Sequence, residues 1–325
     1  MRFAVTGANG MIGKSLVLRL AAEGHQVLAI YRSNLPSEFL DHENISLATG
    51  DVRDRSFLDR ALVDIDGVFH VAAFAKPWAK DSSIYYEVNE QGTKNVCKAC
   101  LKNGVKRLVY TASAGIHGPQ QNGQLIDEHT WPETYHTDYE QSKFNGMQAA
   151  LAFAAKGLEV NAVSPARVYA PGEVTESNVP MRMVEIYLKR GIGVAPTNGR
   201  GVGSYVYIDD VVSGHILAMT TPAHGEEYLI GGENLNYLEF FKTLSELTGK
   251  RHPIITVPFA ISLLIGKVNL FLAETIGIQP VITTPWVRRY RQHWGVNSTK
   301  ISTLGLNTIP LKSGLKTVLK NWNPS

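Results

Sequence analysis

The feature that most constrains this sequence is a run of three glycines near its start. Gly7, Gly10 and Gly13 lie within Thr6-Gly7-Ala8-Asn9-Gly10-Met11-Ile12-Gly13. An apolar run, residues 3–6, precedes them, and an amphipathic helical pattern follows over residues 11–23, with Ile12, Leu16 and Leu20 on one face and Gly24 as its stop. A strand that turns through glycines into a helix is built to hold phosphate. The glycines let the backbone approach a pyrophosphate, and the helix N-terminus offers unpaired N–H groups and a positive dipole end. Opening the first strand–helix unit of the chain is the context such a loop requires.

As far as residue 164 the chain repeats that strand–helix alternation. Residues 27–31, 45–49, 67–72, 107–111 and 159–164 read as strands, and residues 85–101 and 139–156 as helices closed by Asn103-Gly104 and Gly157. Strands separated by helices must run parallel through right-handed crossovers, which predicts an α/β fold: a doubly wound, Rossmann-type parallel sheet. After Pro165 the alternation weakens and Pro171, Pro180, Pro196 and Pro222 punctuate the chain. Helices are predicted near 180–190, 210–219, 237–248 and 259–275. The expected organisation is a dinucleotide-binding domain over residues 1–170, with a strand near 205–208 returning to it, and a smaller mixed substrate region over 171–325. Asp209-Asp210 is expected to cap the helix it opens.

Composition narrows the function. Of 325 residues, 44% are hydrophobic and 19% charged, enough to bury a core, and the net charge of +3 does not by itself imply a polyanion partner. Positive charge is concentrated late: residues 275–325 hold seven Lys/Arg and no Asp/Glu. The Arg288-Arg289-Tyr290-Arg291 stretch reads as a solvated positive face rather than a nucleic-acid surface. The two cysteines, Cys97 and Cys100, lack the partners a zinc site needs and fall within a helical pattern, so they read as packing residues in a reducing compartment. No leader pattern follows Met1, and the longest apolar stretch, residues 259–273, contains Lys267 and Asn269 and is short of a membrane span. A cytoplasmic protein with no integral membrane segment is expected, residues 259–275 forming a surface helix or one lying over a pocket.

The spacing G-x-x-G-x-x-G resembles the extended short-chain dehydrogenase/reductase family, and further stretches carry the resemblance. Asp51-Val52 is similar to the family's adenine-binding pair. His70-Val71-Ala72-Ala73 resembles its loop beneath the adenosine and nicotinamide ribose, and Asn89 with Gly92-Thr93 its N-x-x-G-T helix signature. The resemblance implies that Gly7, Asn9, Gly10, Met11, Ile12, Gly13, Asp51, Val52, Ala72, Ala73 and Asn89 form the cofactor side of the site. Pro165 and Val168, in Pro165-Ala-Arg-Val-Tyr-Ala-Pro-Gly172, would back the nicotinamide ring. Where an NAD enzyme carries an acid at the end of the second strand, this chain reads Tyr31-Arg32-Ser33. A guanidinium suits a 2′-phosphate, so Arg32 predicts NADP(H) in preference to NAD(H).

Tyr139-Glu-Gln-Ser-Lys143 sets a phenol and an amine on one helix face. A phenol titrates near ~10, and a nearby ammonium is expected to lower that value into a useful range. Ser113 closes the fifth strand and is aimed at the crevice beyond the strand ends, where ligands of such sheets bind. The resemblance assigns substrate positioning to Ser113, proton exchange to Tyr139, and ribose binding to Lys143. Thr111 is a secondary candidate on the cofactor side.

The diphosphate-binding Asn and Arg typical of sugar-nucleotide members are thinned out to Ala166-Arg167 and Gly203-Ser204, although Arg167, Arg182 and Arg200 offer substitutes. The segments 257–259, 277–280 and 304–306 resemble dihydroflavonol-4-reductase-like and 3β-hydroxysteroid-dehydrogenase-like members. An NADP(H)-dependent oxidoreductase interconverting a small-molecule carbonyl and an alcohol is therefore expected, with an NAD(P)-dependent sugar-nucleotide epimerase or dehydratase as the alternative. Residues 74–86, with Trp78, Tyr85 and Tyr86, are candidates for a pocket wall. The resemblance also implies a homodimer through helices 85–101 and 139–156.

Overall fold

The first strand–helix unit forms as the glycine pattern requires. β1 (Arg2–Thr6) enters the loop, α1 (Met11–Ala22) leaves it, and α1 packs its buried Leu16, Val17 and Leu20 toward the sheet. The computed structural model describes residues 1–172, 174–222 and 225–322. The chain continues through β2 (Gln26–Tyr31), β3 (Ile45–Thr49), α2 (Arg55–Ala61) and β4 (Gly67–His70). α3 (Ser83–Tyr86) runs through a π turn at Glu87–Gln91 into α4 (Gly92–Lys102), and β5 (Arg107–Thr111), α5 (Asp138–Leu151) and β6 (Glu159–Pro165) follow.

A seven-stranded parallel sheet results, its seventh strand arriving late in the chain as β10 (Glu227–Ile230). Before it come β7 (Arg167–Tyr169), α6 (Val179–Arg190), β8 (Gly193–Pro196), β9 (Val202–Tyr207) and α7 (Ile208–Thr220). The strand order is β10-β6-β5-β4-β1-β2-β3, with every neighbouring pair parallel. The order reverses direction between β1 and β4, where a crevice opens at the carboxyl ends of the strands. The core strands are apolar on both faces because helices cover both.

The remaining elements are β11 (Glu233–Asn236), α8 (Tyr237–Thr248), β12 (Ile254–Val257), α9 (Phe259–Ile276), α10 (Thr284–Arg291), α11 (Thr299–Ser302) and α12 (Leu311–Lys320). β11-β9-β7 form a three-stranded sheet and β12-β8 a parallel pair. The strand expected near 205–208 forms as β9 and pairs with β7 and β11 in the small sheet, while α7 packs on the large sheet and β10 joins it. One expectation is corrected. Asp209 and Asp210 do not cap α7. They lie in its first turn, the cap position is Tyr207, and Asp210 instead accepts a hydrogen bond from the Ile309 amide.

Candidate active site

The glycine loop closes tightly on the sheet. Gly7 has φ of +69°, and a Cβ there would lie 2.7 Å from the backbone of Ala72, while one on Gly13 would lie 2.2 Å from the Gly7 carbonyl oxygen. Only glycine lets the loop, the end of β4 and the start of α1 meet this closely. Beside the loop is a cavity of about 140 Å³, bordered among others by Gly7, Asn9, Arg32, Asp51, Val52 and Ala72. Ala73 also borders it; Gly10, Met11, Ile12 and Gly13 form the loop exit and the first turn of α1 behind it. This cradle, with free amides at a helix start and an adenine-sized recess, fits a dinucleotide.

Charge around the recess is already partly paired. Asp51 accepts three hydrogen bonds from Arg53, one from its amide and two from its guanidinium, which hold the carboxyl below the usual carboxylate range. Arg32 stands 3.9 Å from that same carboxylate with its side chain 61% exposed, so its fork is open to a further anion. Asn9 donates to the Ser33 carbonyl and thereby fixes the stretch that carries Arg32.

Several of the expected cofactor residues shape the site from behind. Asn89 is fully buried; it accepts from the Phe74 amide (2.7 Å) and donates to the Phe74 carbonyl and to Ser142 Oγ (2.9 Å). It thus ties the loop after β4 to α5 rather than bordering the cavity. The contact exists because Gly146 lets α5 approach so closely that a Cβ there would lie 2.2 Å from the Asn89 carbonyl oxygen. His70, buried between Thr6 Oγ1 (2.7 Å) and Thr93 Oγ1 (3.0 Å), is kept neutral, its pKa pushed down to about 3 by burial and by the charge of Lys143. Thr111 spends its hydroxyl on His215 (2.9 Å), and its carbonyl receives Lys143 Nζ. Pro165 is buried at the end of β6, and half-buried Val168 pairs with Val206 in the small sheet.

Tyr139 and Ser113 come together, with Lys143 one helical turn along α5. α5 begins at the Thr137 cap, whose hydroxyl accepts the Glu140 amide, and this places Tyr139 in the first turn. Ser113, which ends β5 in extended backbone and accepts from the Gly115 amide (3.2 Å), lies near enough to the Tyr139 hydroxyl to pull its pKa down. Lys143 is buried one turn on, its ammonium 4.4 Å over the Tyr110 ring and bonded to the Thr111 carbonyl; burial pulls its pKa down to about 7.

The phenol does not follow the simple expectation that Lys143 makes it acidic. Burial holds Tyr139 above its ordinary pKa, and the two influences that pull it down are the neighbouring Ser113 hydroxyl and the charge of Arg289. Sequence reading missed Arg289, having taken residues 288–291 as a solvated face. Arg288 and Arg291 are exposed, but the Arg289 side chain is turned inward, its guanidinium 3.7 Å over the Trp294 ring and ion-paired with buried Glu140. One guanidinium nitrogen and Ser113 Oγ lie 2.9 Å and 3.3 Å from the point a Gly115 Cβ would occupy, which places this cation at the mouth of the Ser113–Tyr139 pair. The signal available in sequence was the single acid Glu140, set between Tyr139 and a buried stretch and needing a cation.

The expected pocket wall at 74–86 faces α10. The Pro77 carbonyl accepts from Trp286 Nε1 (2.9 Å), Tyr85 donates to the Lys76 carbonyl, and Tyr86 donates to Asp138 beside Tyr139. A second cavity, of about 330 Å³, is bordered by Pro77, Arg182, Glu185, Pro280 and Val281 among others. Arg167, a candidate diphosphate ligand, is instead held by aromatic rings, donating to Tyr205 Oη and lying 5.2 Å over Tyr237. Cys97 and Cys100 are fully buried in the α4 packing layer, and burial raises the Cys97 thiol to about 12, so neither is a thiolate at neutral pH.

Comparison with known proteins gives the family and the fold. A family model described as the NAD dependent epimerase/dehydratase family matches residues 3–231. Over 320 residues the chain is 29% identical to a Synechocystis protein named "Putative dihydroflavonol 4-reductase", covering 96% of this chain and 92% of that one. It is 32% identical over 260 residues to "Sterol demethylase protein B" of Methylococcus capsulatus, covering 79% and 78%. Among solved structures, the UDP-glucose 4-epimerase of Thermus thermophilus in complex with NAD superposes with a TM-score of 0.79 at 24% identity, covering 99% of this chain and 98% of that one, a likeness of fold.

Proposed function

Because the chain belongs to the NAD dependent epimerase/dehydratase family, and is an NAD(P)-dependent enzyme acting on CH–OH groups, we propose that it interconverts a carbonyl and an alcohol with NADP(H) at a Ser113–Tyr139–Lys143 site. The observation that carries this reading is the nearness of Ser113 to the Tyr139 hydroxyl at the carboxyl end of β5, close enough to pull the phenol's pKa down, on the side of the sheet where the glycine cradle opens. The nicotinamide, when bound, supplies or accepts the hydride.

The chain's own residues do the rest. Ser113 and Tyr139 present two hydroxyls to one oxygen, so Ser113 orients the carbonyl and Tyr139 gives it a proton as charge develops there. Lys143, one helical turn along α5 from Tyr139 and with its pKa near 7, is suited to hold the ribose hydroxyls. In the alcohol-oxidising direction Tyr139 takes the proton, assisted by the positive charge of Arg289. Arg32 is the residue that would receive a 2′-phosphate, its nearest acid being engaged by Arg53.

In this reading residues 1–170 hold the cofactor and later residues shape the substrate side, within a cytoplasmic homodimer formed through α4 and α5; a monomeric mass in solution would remove the dimer. The alternative, a sugar-nucleotide epimerase or dehydratase, draws on the fold likeness to the Thermus enzyme, but the enclosure of Arg167 by Tyr205 and Tyr237 leaves one fewer free cation for a diphosphate.

The test is NADPH oxidation by the purified protein against aromatic, steroidal and aliphatic carbonyls beside UDP-hexoses, with Tyr139→Phe as control. Turnover of a carbonyl that falls by about a hundredfold or more in Tyr139→Phe is expected. Redox-neutral conversion of a UDP-hexose, or a Tyr139→Phe variant with undiminished turnover, overturns the reading.

A further inference from the structure

α9 is apolar on nearly every side, yet little of it is covered. Only Ser262, Gly266 and Ala273 are buried, a narrow stripe of small residues. Ile261, Leu264, Ile265, Val268, Phe271 and Ile276 are each between 42% and 63% exposed, and Ile278 and Val281 extend the surface past the helix end. A contiguous apolar face of this kind marks a binding surface, because single exposed side chains do not recur at helical spacing by accident.

The charge around it selects the occupant. On α9 and on α10 beside it the exposed charged side chains are Lys267, Arg288 and Arg291 against one acid, Glu274. Lys267 is exposed on α9 itself, Arg291 lies 4.7 Å over the Phe259 ring at its start, and Arg288 is exposed on α10, which packs alongside. A second copy of the chain would bring the same positive charges face to face. An anionic lipid surface complements both the apolar face and its basic surroundings.

We propose that α9 docks the protein on an anionic bilayer, lying in the plane of the headgroups without spanning. The helix is fixed along its length to the body of the protein: a Cβ on Gly266 would lie 3.1 Å from the Thr284 amide nitrogen, and Asn269 accepts from the Val281 amide. With 18 residues it is about 27 Å long. Crossing a bilayer would tear it from α10, the helix that carries Arg289 to Tyr139. The cavity bordered by Pro280 and Val281 opens next to this face, so docking would set its mouth at the lipid surface.

Co-sedimentation of the full-length protein with vesicles of 70:30 phosphatidylcholine and phosphatidylserine tests the proposal without reference to turnover, so its failure and that of the proposed reaction are separate results. We expect most of the protein to pellet with these vesicles, at least tenfold less with pure phosphatidylcholine or at high salt, and release by alkaline carbonate. Leu264→Glu with Phe271→Glu, at positions already 61% and 63% exposed, should abolish pelleting while leaving NADPH binding intact. Wild-type protein that stays in the supernatant overturns the proposal. So does carbonate-resistant insertion, or a dimer that the double variant dissociates.

Discussion

Arg289 and Glu140 form a buried ion pair one residue from Tyr139, joining a helix near the end of the chain to the first turn of the helix that carries the phenol. Glu140 is 2% exposed on its side chain and Arg289 16%, so neither charge is compensated by solvent. Burial leaves the guanidinium pKa at about 10, which keeps it positive at neutral pH.

Removing one member of such a pair strands the other. Arg289→Met should destabilise the protein by about 3–5 kcal/mol, and adding Glu140→Gln should restore much of the loss. Urea unfolding of the two variants checks this. A purely structural pair would leave the pH dependence of alcohol oxidation unchanged. In the double variant the phenol loses the charge that pulls its pKa down, so the alkaline rise of kcat/KM should move to higher pH.

Lys143 makes stability depend on pH. Its folded pKa near 7 lies below the ordinary value of 10.5, so between those limits the unfolded chain binds more protons than the folded one. Its contribution is therefore present above pH 10.5, is lost as pH falls through about 7, and gives a positive slope of roughly 1 kcal/mol per pH unit between. Unfolding free energy of Lys143→Met measured at pH 7.5 and 9.5 should rise less over that interval than that of the wild type. Equal increments would show that the amine is not desolvated.

Arg32→Ala should weaken NADPH binding roughly tenfold to a hundredfold, the range of a charge-assisted hydrogen bond, and leave NADH binding nearly unchanged. Titration of both dinucleotides by fluorescence distinguishes this from general damage to the recess, in which both affinities fall together.

Gly7→Ala combines a left-handed backbone with a steric overlap at Ala72. A loss of at least about 1–2 kcal/mol is expected from the backbone conformation alone. The loop must also move away from the end of β4, so dinucleotide affinity should collapse even where thermal unfolding remains cooperative.

Much of this is legible in the amino-acid sequence alone. The glycines at 7, 10 and 13, the β-branched runs and the helix stops located six strands of the main sheet within a residue or two, five of them because a strand buried on both faces leaves an uninterrupted apolar run, whereas β3 is an edge strand with no fully buried residue. α9 was equally plain. What sequence did not reveal depends on contacts between distant segments. Nothing local in Val202–Tyr207 distinguishes a strand of the small sheet from one of the large sheet, and β10 is only four residues long. The inward turn of Arg289 was hidden in a basic stretch whose other two arginines do face solvent. The site followed the same division: Tyr139, Lys143 and Ser113 sit at motif spacing, whereas the ion pair spans 149 residues of chain.

The late arrival of β10 bears on how the chain can be cut and on how it emerges during synthesis. Until residue 230 is available, β6 is the border of the sheet, with four of its residues waiting for partners. A fragment ending near residue 170 would carry the whole glycine cradle and the Tyr139 helix yet expose a bare, apolar β edge, a ready template for pairing with its own copies. Truncations meant to isolate the nucleotide-binding half should accordingly retain everything through Ile230, or expect aggregates.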